Sequence, residues 1–331
     1  MQMLNPDRNA RHFGVYRDSE ALPDAVRGAV VAIGNFDGVH LGHQQLIALA
    51  KAKAAARGGP AAVLTFEPHP RAFFAPETLH FRLTSEPVRL KIFERLGLDA
   101  VFVRRFDAQL ASTTARDFVA HLLGRDLGVS GLVVGGDFHF GRKREGTPAL
   151  LVELAAQNGL TLALADTVEV AGAAVSSSRI REALTLGDVE RANLLLGYSW
   201  FVEGEVRHGA KRGRELGYPT ANIRLDEGCG LAHGIYAVRV AIGPGEIRGG
   251  VASFGRRPTF DNGAPLLECY LFDISADLYG RRIEVEFVGR IRAEERFATA
   301  DALVEQMRQD VQAARNILGT HSGEVTRSFI G

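Results

Sequence analysis

The feature that most constrains how this chain folds is a change of hydrophobic rhythm partway along it. From Ala29 to Leu164, short apolar runs alternate with stretches of helical periodicity, and residues 29–33, 61–66, 100–103, 131–134 and 160–164 read as strands. Apolar runs without polar alternation belong to strands covered on both faces. Ser85 and Pro87 start a helix that stops at Gly97, and Thr147 with Pro148 starts another that stops at Gly159. The alternation predicts an α/β module, a parallel sheet with helices on both faces. After Val175 come two short helical stretches, Arg179 to Leu186 and Asp188 to Leu196. Beyond them strands dominate, at 201–207, 234–240, 249–254, 266–272 and 282–288, separated by glycine-rich turns. Arg282-Ile283-Glu284-Val285-Glu286-Phe287 alternates strictly, as a half-solvated antiparallel strand should. So many short strands hide their edges best in a closed or nearly closed antiparallel β-barrel. A closing α-helix from about Ala300 to Leu318 carries Leu303, Met307, Val311, Ala314 and Leu318 as a stripe for core packing.

The 331 residues suit two domains, placed at 1–186 and 187–331 with linker helices at about 187–199. Lys plus Arg number 39 and Asp plus Glu number 39, so no overall positive field exists to hold nucleic acid. Three local basic clusters sit beside glycines, at Arg142-Lys143-Arg144, Lys211-Arg212 with Arg214, and Arg256-Arg257, which suits small phosphorylated ligands. Cys229 and Cys269 form no C-x-x-C arrangement, so neither a disulfide framework nor a zinc site is expected. The first thirty residues are charged and no long uncharged apolar run occurs, which predicts a cytoplasmic protein without a membrane partner. A homo-oligomer is left open.

The first strand runs directly into Gly34-Asn35-Phe36-Asp37-Gly38-Val39-His40-Leu41-Gly42-His43, and an amphipathic helix follows. Glycines let a backbone approach phosphates closely, and a helix N-terminus offers free N–H groups and partial positive charge. His40 and His43, three apart, point the same way and can donate hydrogen bonds to charge building up on a departing pyrophosphate. In the strand-rich half, the stretch from His208 to Asn222 includes Gly209, Lys211, Gly213, Thr220 and Asn222. It combines backbone donors, positive charge and a hydroxyl-amide pair, the parts of a loop for Mg2+ and ATP, although a basic surface turn has the same composition.

The motifs then become specific. GNFDGVHLGH resembles the H-x-G-H signature of nucleotidyltransferases in the form used by bacterial FAD synthetases, and LTFEPHPR, VVGGDFHFGRKREG and VSSSRIREAL follow in that family's order. GRELGYPTAN, GIYAV, GVASFGRRPTF and LLECYLFD resemble riboflavin kinases. The resemblance spans roughly residues 28 to 316 and implies a Rossmann-like nucleotidyltransferase domain followed by a kinase barrel. It also implies riboflavin, FMN and ATP as substrates, FAD as product and magnesium in both steps. By this likeness Gly34, Phe36, Asp37, Gly38 and Gly42 meet nucleotide. Ser177 and Ser178 hold the triphosphate and Arg181 clamps its charge. Phe66, Pro68, His69, Asp137, Phe138 and Arg257 meet flavin. Thr220 and Asn222 hold the metal, and Glu268 is the general base. Ser178 stands where the family commonly has Thr, Ser253 where it often has Asn, and the turn GCGLAHG lacks a usual proline. Two alternatives remain: a flavin or nucleotide sensor without turnover, and an H-x-G-H transferase acting on a different phosphate ester.

Overall fold

The computed structural model describes residues 13–18, 21–208, 217–256, 265–274, 276–320 and 327–331. The chain divides into two units, Met1–Thr78 with Arg89–Ala174 and Leu79–Val88 with Val175–Gly331.

In the first unit the apolar runs become the strands of one parallel sheet. In chain order its elements are β1 (Gly14–Arg17), β2 (Val30–Ile33), α1 (Leu41–Ala56), β3 (Ala61–Glu67), α2 (Pro70–Phe74), α3 (Glu86–Arg95) and β4 (Ala100–Arg105). They continue with α4 (Ala108–Ser112), α5 (Ala115–Asp117) leading into a π-helical stretch Phe118–Asp126, β5 (Gly131–Gly135), α6 (Pro148–Gln157) and β6 (Thr161–Ala165). The sheet order is β1-β4-β3-β2-β5-β6. Strand β1 was not expected from the sequence; it is an edge strand with no buried residue. Side chains on one face of the sheet, among them Val31, Ile33, Leu64, Phe102 and Val134, share a core with Phe118, Val119, Leu123, Leu151 and Leu154. The alternate residues Val30, Ala32, Val63, Val101 and Val133 are equally buried, and α1 packs on β2 and β3. A small hairpin, β7 (Glu169–Val170) with β8 (Ala173–Ala174), ends the unit.

The second unit begins with α7 (Ser177–Leu186) and α8 (Val189–Leu196), both ended by left-handed glycines, Gly187 and Gly197. Then come β9 (Phe201–Arg207), β10 (Thr220–Arg224), β11 (Gly234–Gly243), β12 (Glu246–Arg256), β13 (Pro265–Leu271), β14 (Arg282–Arg292) and α9 (Ala300–Thr320). The strands close a barrel in the order β10-β13-β12-β11-β14-β9. Strand β10 was read from sequence as part of a loop; in the structure the chain has become a strand by Thr220. Alternation sends Ala221, Ile223, Phe254, Leu267, Cys269, Val285 and Phe287 inward, where they are buried. On the outer face α9 lays Val311, Ala314, Ile317 and Leu318 against Ala237, Val251, Tyr270 and Phe272. The helix stripe is thus only partly core. Leu303, expected to pack there, instead lines a cavity.

Candidate active sites

Strand β2 ends at Ile33, and the chain reaches α1 through a tightly wound loop. Phe36 and Val39 take left-handed backbone angles, φ 52° and 36°. A β-branched residue rarely does so, and such strain persists only where the surroundings impose it. Here they do: Phe36, Asp37 and Val39 are buried, Gln44 donates to the Val39 carbonyl at 2.9 Å, and Asn35 O accepts from Thr65 Oγ1 and Arg89 Nη1.

His40 sits at the N-cap of α1, one position before the helix. Its Nδ1 accepts from the His43 backbone N–H at 3.4 Å, which leaves the proton on Nε2. The His40 and His43 rings stack with centroids 3.7 Å apart and planes 17° apart. Burial, and then the charges of His40 and Arg89, hold the His43 pKa well below 6.5, so His43 is a neutral imidazole. Its Nδ1 is buried without a hydrogen-bond partner among the described residues. Two stacked imidazoles at a helix N-terminus, His43 neutral, make a donor pair for anionic oxygens. Gly42 packs against this pair: a Cβ there would lie 3.2 Å from the His40 ring.

Strands β3, β2 and β5 are neighbours and parallel, so the segments leaving their C-terminal ends share one edge of the sheet, where ligands of such sheets bind. Those segments hold the loop at 34–43, then Phe66, Pro68 and His69, and then Asp137 and Phe138. Phe66 meets Phe106 edge to face at 6.1 Å, and Phe106 also meets Phe73 at 5.4 Å and the exposed Phe74 at 5.7 Å. Phe106 was missed in the sequence, where one aromatic after a strand gives no signal. His69 caps α2, its Nδ1 accepting from Arg71 N–H at 3.1 Å. Phe138 stacks on Phe140 at 5.5 Å, and the Asp137 carbonyl lies 2.8 Å from His139 Nδ1.

Ser177, Ser178 and Arg181 lie on α7 and so belong to the other unit. The helix is capped by Ser176, which accepts from Arg179 N–H at 3.4 Å, so Ser177 and Ser178 occupy its first turn. Arg181 Nε donates to the Phe81 carbonyl at 2.6 Å, and its Nη2 is 3.3 Å from His80 Nε2.

In the barrel, Asn222 pairs across β10 and β13 with Glu268, Glu268 across β13 and β12 with Ser253, Ser253 with Ile235, and Ile235 with Arg292. These five residues form one row on the outer face. Asn222 is buried, and its Nδ2 donates to the Thr220 carbonyl at 3.2 Å. Its Oδ1 is buried with no hydrogen-bond partner among the described residues. The far end of the row opens on a cavity of about 450 Å3 whose walls include Ile235, Ser253, Arg292, Phe297 and Leu303. Arg292 is set by a two-pronged bond to the buried Asp310, at 2.8 and 2.7 Å. Sequence inspection missed this pair, because Asp310 falls on a helix turn that otherwise reads as solvated. Gly209, Lys211, Gly213 and Arg257 lie outside the described residues.

The FAD synthetase family matches residues 22–179 and the riboflavin kinase family matches residues 196–318. A bifunctional riboflavin kinase/FMN adenylyltransferase of Pseudomonas fluorescens is 42% identical over 296 residues, covering 87% of this chain and 93% of that protein. Its namesake in Haemophilus influenzae is 40% identical and covers 88% of this chain and 94% of its own. A crystal structure from Streptococcus pneumoniae, described as a macrolide-efflux protein, matches with a TM-score of 0.81 at 32% identity, over 91% of this chain and 99% of that one. Efflux is that protein's description; among the described residues here, no helix is long and apolar enough to cross a membrane. The two family matches fall in turn on the parallel sheet and on the barrel, and the relatives match along nearly their full length. The chain therefore belongs to the bifunctional riboflavin kinase/FMN adenylyltransferases, phosphorylating riboflavin to FMN with ATP and joining FMN to AMP to give FAD and pyrophosphate.

Proposed function

We propose that the two reactions divide between the two sites as follows. Residues 187–331 carry the kinase. Glu268 takes the proton of the ribityl hydroxyl as its oxygen attacks the γ-phosphate of ATP, the bond to the β-phosphate oxygen breaks and ADP leaves. The cavity beside Ser253 takes the flavin ring, with Phe297, Ile235 and Leu303 as its apolar walls. Residues 1–186 carry adenylyl transfer. An oxygen of the FMN phosphate attacks the α-phosphate of ATP, and the Nε2–H of His40, the neutral ring of His43 and the α1 N-terminus stabilise charge gathering on the leaving pyrophosphate. Gly34, Phe36, Asp37, Gly38 and Gly42 shape the loop that receives the nucleotide. Phe66, Pro68, His69, Asp137 and Phe138 meet the flavin of FMN. Ser177, Ser178 and Arg181 serve the triphosphate, and Gly209, Lys211, Gly213 and Arg257 serve the kinase substrates.

The observation that carries the kinase half is the pairing of Glu268 with Asn222. The orphaned, buried Oδ1 of Asn222 is a hard oxygen donor, and with the Thr220 hydroxyl two residues away it fits magnesium. When bound there, the ion neutralises phosphate charge. The balanced charge and the lack of a membrane-spanning helix among the described residues support a cytoplasmic enzyme acting on small molecules.

The test is incubation of the purified protein with riboflavin, ATP and magnesium, with the flavins separated by chromatography over time. FMN should form first and FAD after it. Flavin that binds without turnover would instead mark a sensor, and FMN without FAD would point to a different acceptor for the first module.

A further inference from the structure

A buried cation stands behind the first site, outside every motif that brought the family to notice. Arg89 of α3 is 0% exposed. Its Nη2 donates to Glu67 Oε2 at 2.7 Å, and its Nη1 donates to the carbonyl of Asn35 at 3.0 Å. Asn35 belongs to the loop that ends at His40, the N-cap of the helix that carries His43, and Glu67 is the last residue of β3. One turn further along α3, Phe93 meets Phe36 edge to face at 5.4 Å, Phe36 lies 5.1 Å from the His43 ring, and His43 stacks on His40. Two residues of α3, four apart, therefore grip the loop, one by charge and one by its ring.

Burying a guanidinium is costly even when it is paired, and an apolar side chain of similar volume often stabilises a fold as well or better. What an apolar residue lacks is the pair of donors, held in a rigid fork, that ties a loop carbonyl to a strand carboxylate. We propose that Arg89 is a positioning residue for adenylyl transfer: it locks the 34–43 loop to the end of β3 through Asn35 and Glu67, and so holds His40 and His43 in register with the nucleotide phosphates. Arg89 acts only through these residues and touches no substrate. The proposal rests on the assignment of His40 and His43 to the phosphates.

The test compares full-length wild type with Arg89→Met, Arg89→Lys, Glu67→Gln and His43→Ala. FAD formation from added FMN and FMN formation from riboflavin are both measured in each protein. Arg89→Met should lower kcat for FAD formation by about 10- to 100-fold, the cost of a loop displaced by a fraction of an ångström to about 1 Å, while KM for FMN changes little. Its riboflavin kinase rate should equal that of wild type, which reports that the chain is folded. Lysine reaches one acceptor at a time, so Arg89→Lys should recover part of the loss. Glu67→Gln keeps the shape and removes the charge, so it should lower FAD formation alone and carries the test if Arg89→Met does not fold. The proposal is overturned by wild-type FAD formation in Arg89→Met or Glu67→Gln, by a parallel loss of both activities in a folded protein, or by Lys doing no better than Met. Undiminished FAD formation in His43→Ala would instead remove the underlying assignment of the histidines.

Discussion

Asn222 and Glu268 stand directly opposite one another across the β10–β13 ladder. Side chains of directly paired residues in an antiparallel sheet start about 5 Å apart at Cβ. The Glu268 carboxylate and the Asn222 amide are therefore fixed to one another by backbone hydrogen bonds, and no loop has to close to bring them together. The ladder continues through Ser253 and Ile235 to the cavity, so Glu268, Asn222 and the cavity share one rigid surface.

Removing the carboxylate proposed as the base, without changing its shape, tests that arrangement. Glu268→Gln should lower FMN formation by about a hundredfold to ten-thousandfold. Conversion of added FMN to FAD should continue unchanged, measured by chromatography in the same preparation. Equal loss of both products would remove Glu268 from the kinase step.

Asn222→Leu fills the same space and deletes the buried oxygen. The magnesium concentration that half-activates FMN formation should rise by about tenfold or more, on the scale typical when the surroundings of a metal site are altered. The magnesium dependence of FAD formation should stay where it was. A magnesium titration of both activities reads the result, and an unmoved kinase midpoint would take Asn222 out of the metal site.

The sequence made the central strands legible because hydrophobic periodicity is a local signal: 61–66 and 131–134 appear nearly residue for residue as β3 and β5. It concealed β10 because the outward face of that strand is spent on Thr220 and Asn222, and a strand carrying polar residues on one face beside a glycine-rich stretch reads as loop. Candidate site residues inside contiguous motifs, such as His40 and His43, were equally easy to nominate. Those that depend on tertiary contact were not. Arg89 looks like one more surface charge on a helix until Glu67 and Asn35 are seen beside it, and Asp310 gains its meaning only from Arg292 eighteen positions earlier. The segment Leu79–Val88, which joins the barrel unit, has no local pattern that would announce it: Trp200 Nε1 donates to the Leu83 carbonyl at 2.7 Å across 117 positions.

Gly42→Ala separates helix stability from site geometry. Alanine in the first turn of α1 favours the helix by up to about 1 kcal/mol over glycine. The new Cβ, however, would lie 3.2 Å from the His40 ring and must push it by a few tenths of an ångström. The variant should therefore melt no lower than wild type yet form FAD more slowly, by about tenfold, since small displacements of catalytic groups are costly. Normal FAD formation in Gly42→Ala would mean that the position of the His40 ring is not critical.

Asp310→Ala leaves Arg292 partly buried without its partner. Loss of one member of such a pair costs about 3 kcal/mol, at the lower end of the usual range because the Arg292 side chain keeps 17% of its exposure. Freed from its two-pronged bond, Arg292 should no longer hold one shape of the cavity wall, and KM for riboflavin should rise while KM for FMN in the adenylyl step does not. A denaturant melt and paired kinetics check both parts. An unchanged riboflavin KM would confine the pair to stability.

The burial of His43 carries a pH dependence whose sign is fixed. Its folded pKa lies well below 6.5, with burial the largest cause and the charges of His40 and Arg89 adding to it. In the unfolded chain the ring returns to its ordinary value near 6.5. As pH falls below about 6.5, the unfolded state therefore takes up a proton that the folded state refuses, and stability drops progressively until the folded pKa is reached. Above that window the group contributes no slope. His43→Phe keeps an aromatic ring against His40 and Phe36 and removes the titration, so its melting temperature should fall less than that of wild type between about pH 6.5 and pH 5. Parallel melting curves for the two proteins across that window would show that His43 takes up its proton as readily folded as unfolded, against the neutral, buried ring on which the proposed charge-stabilising role of this site depends.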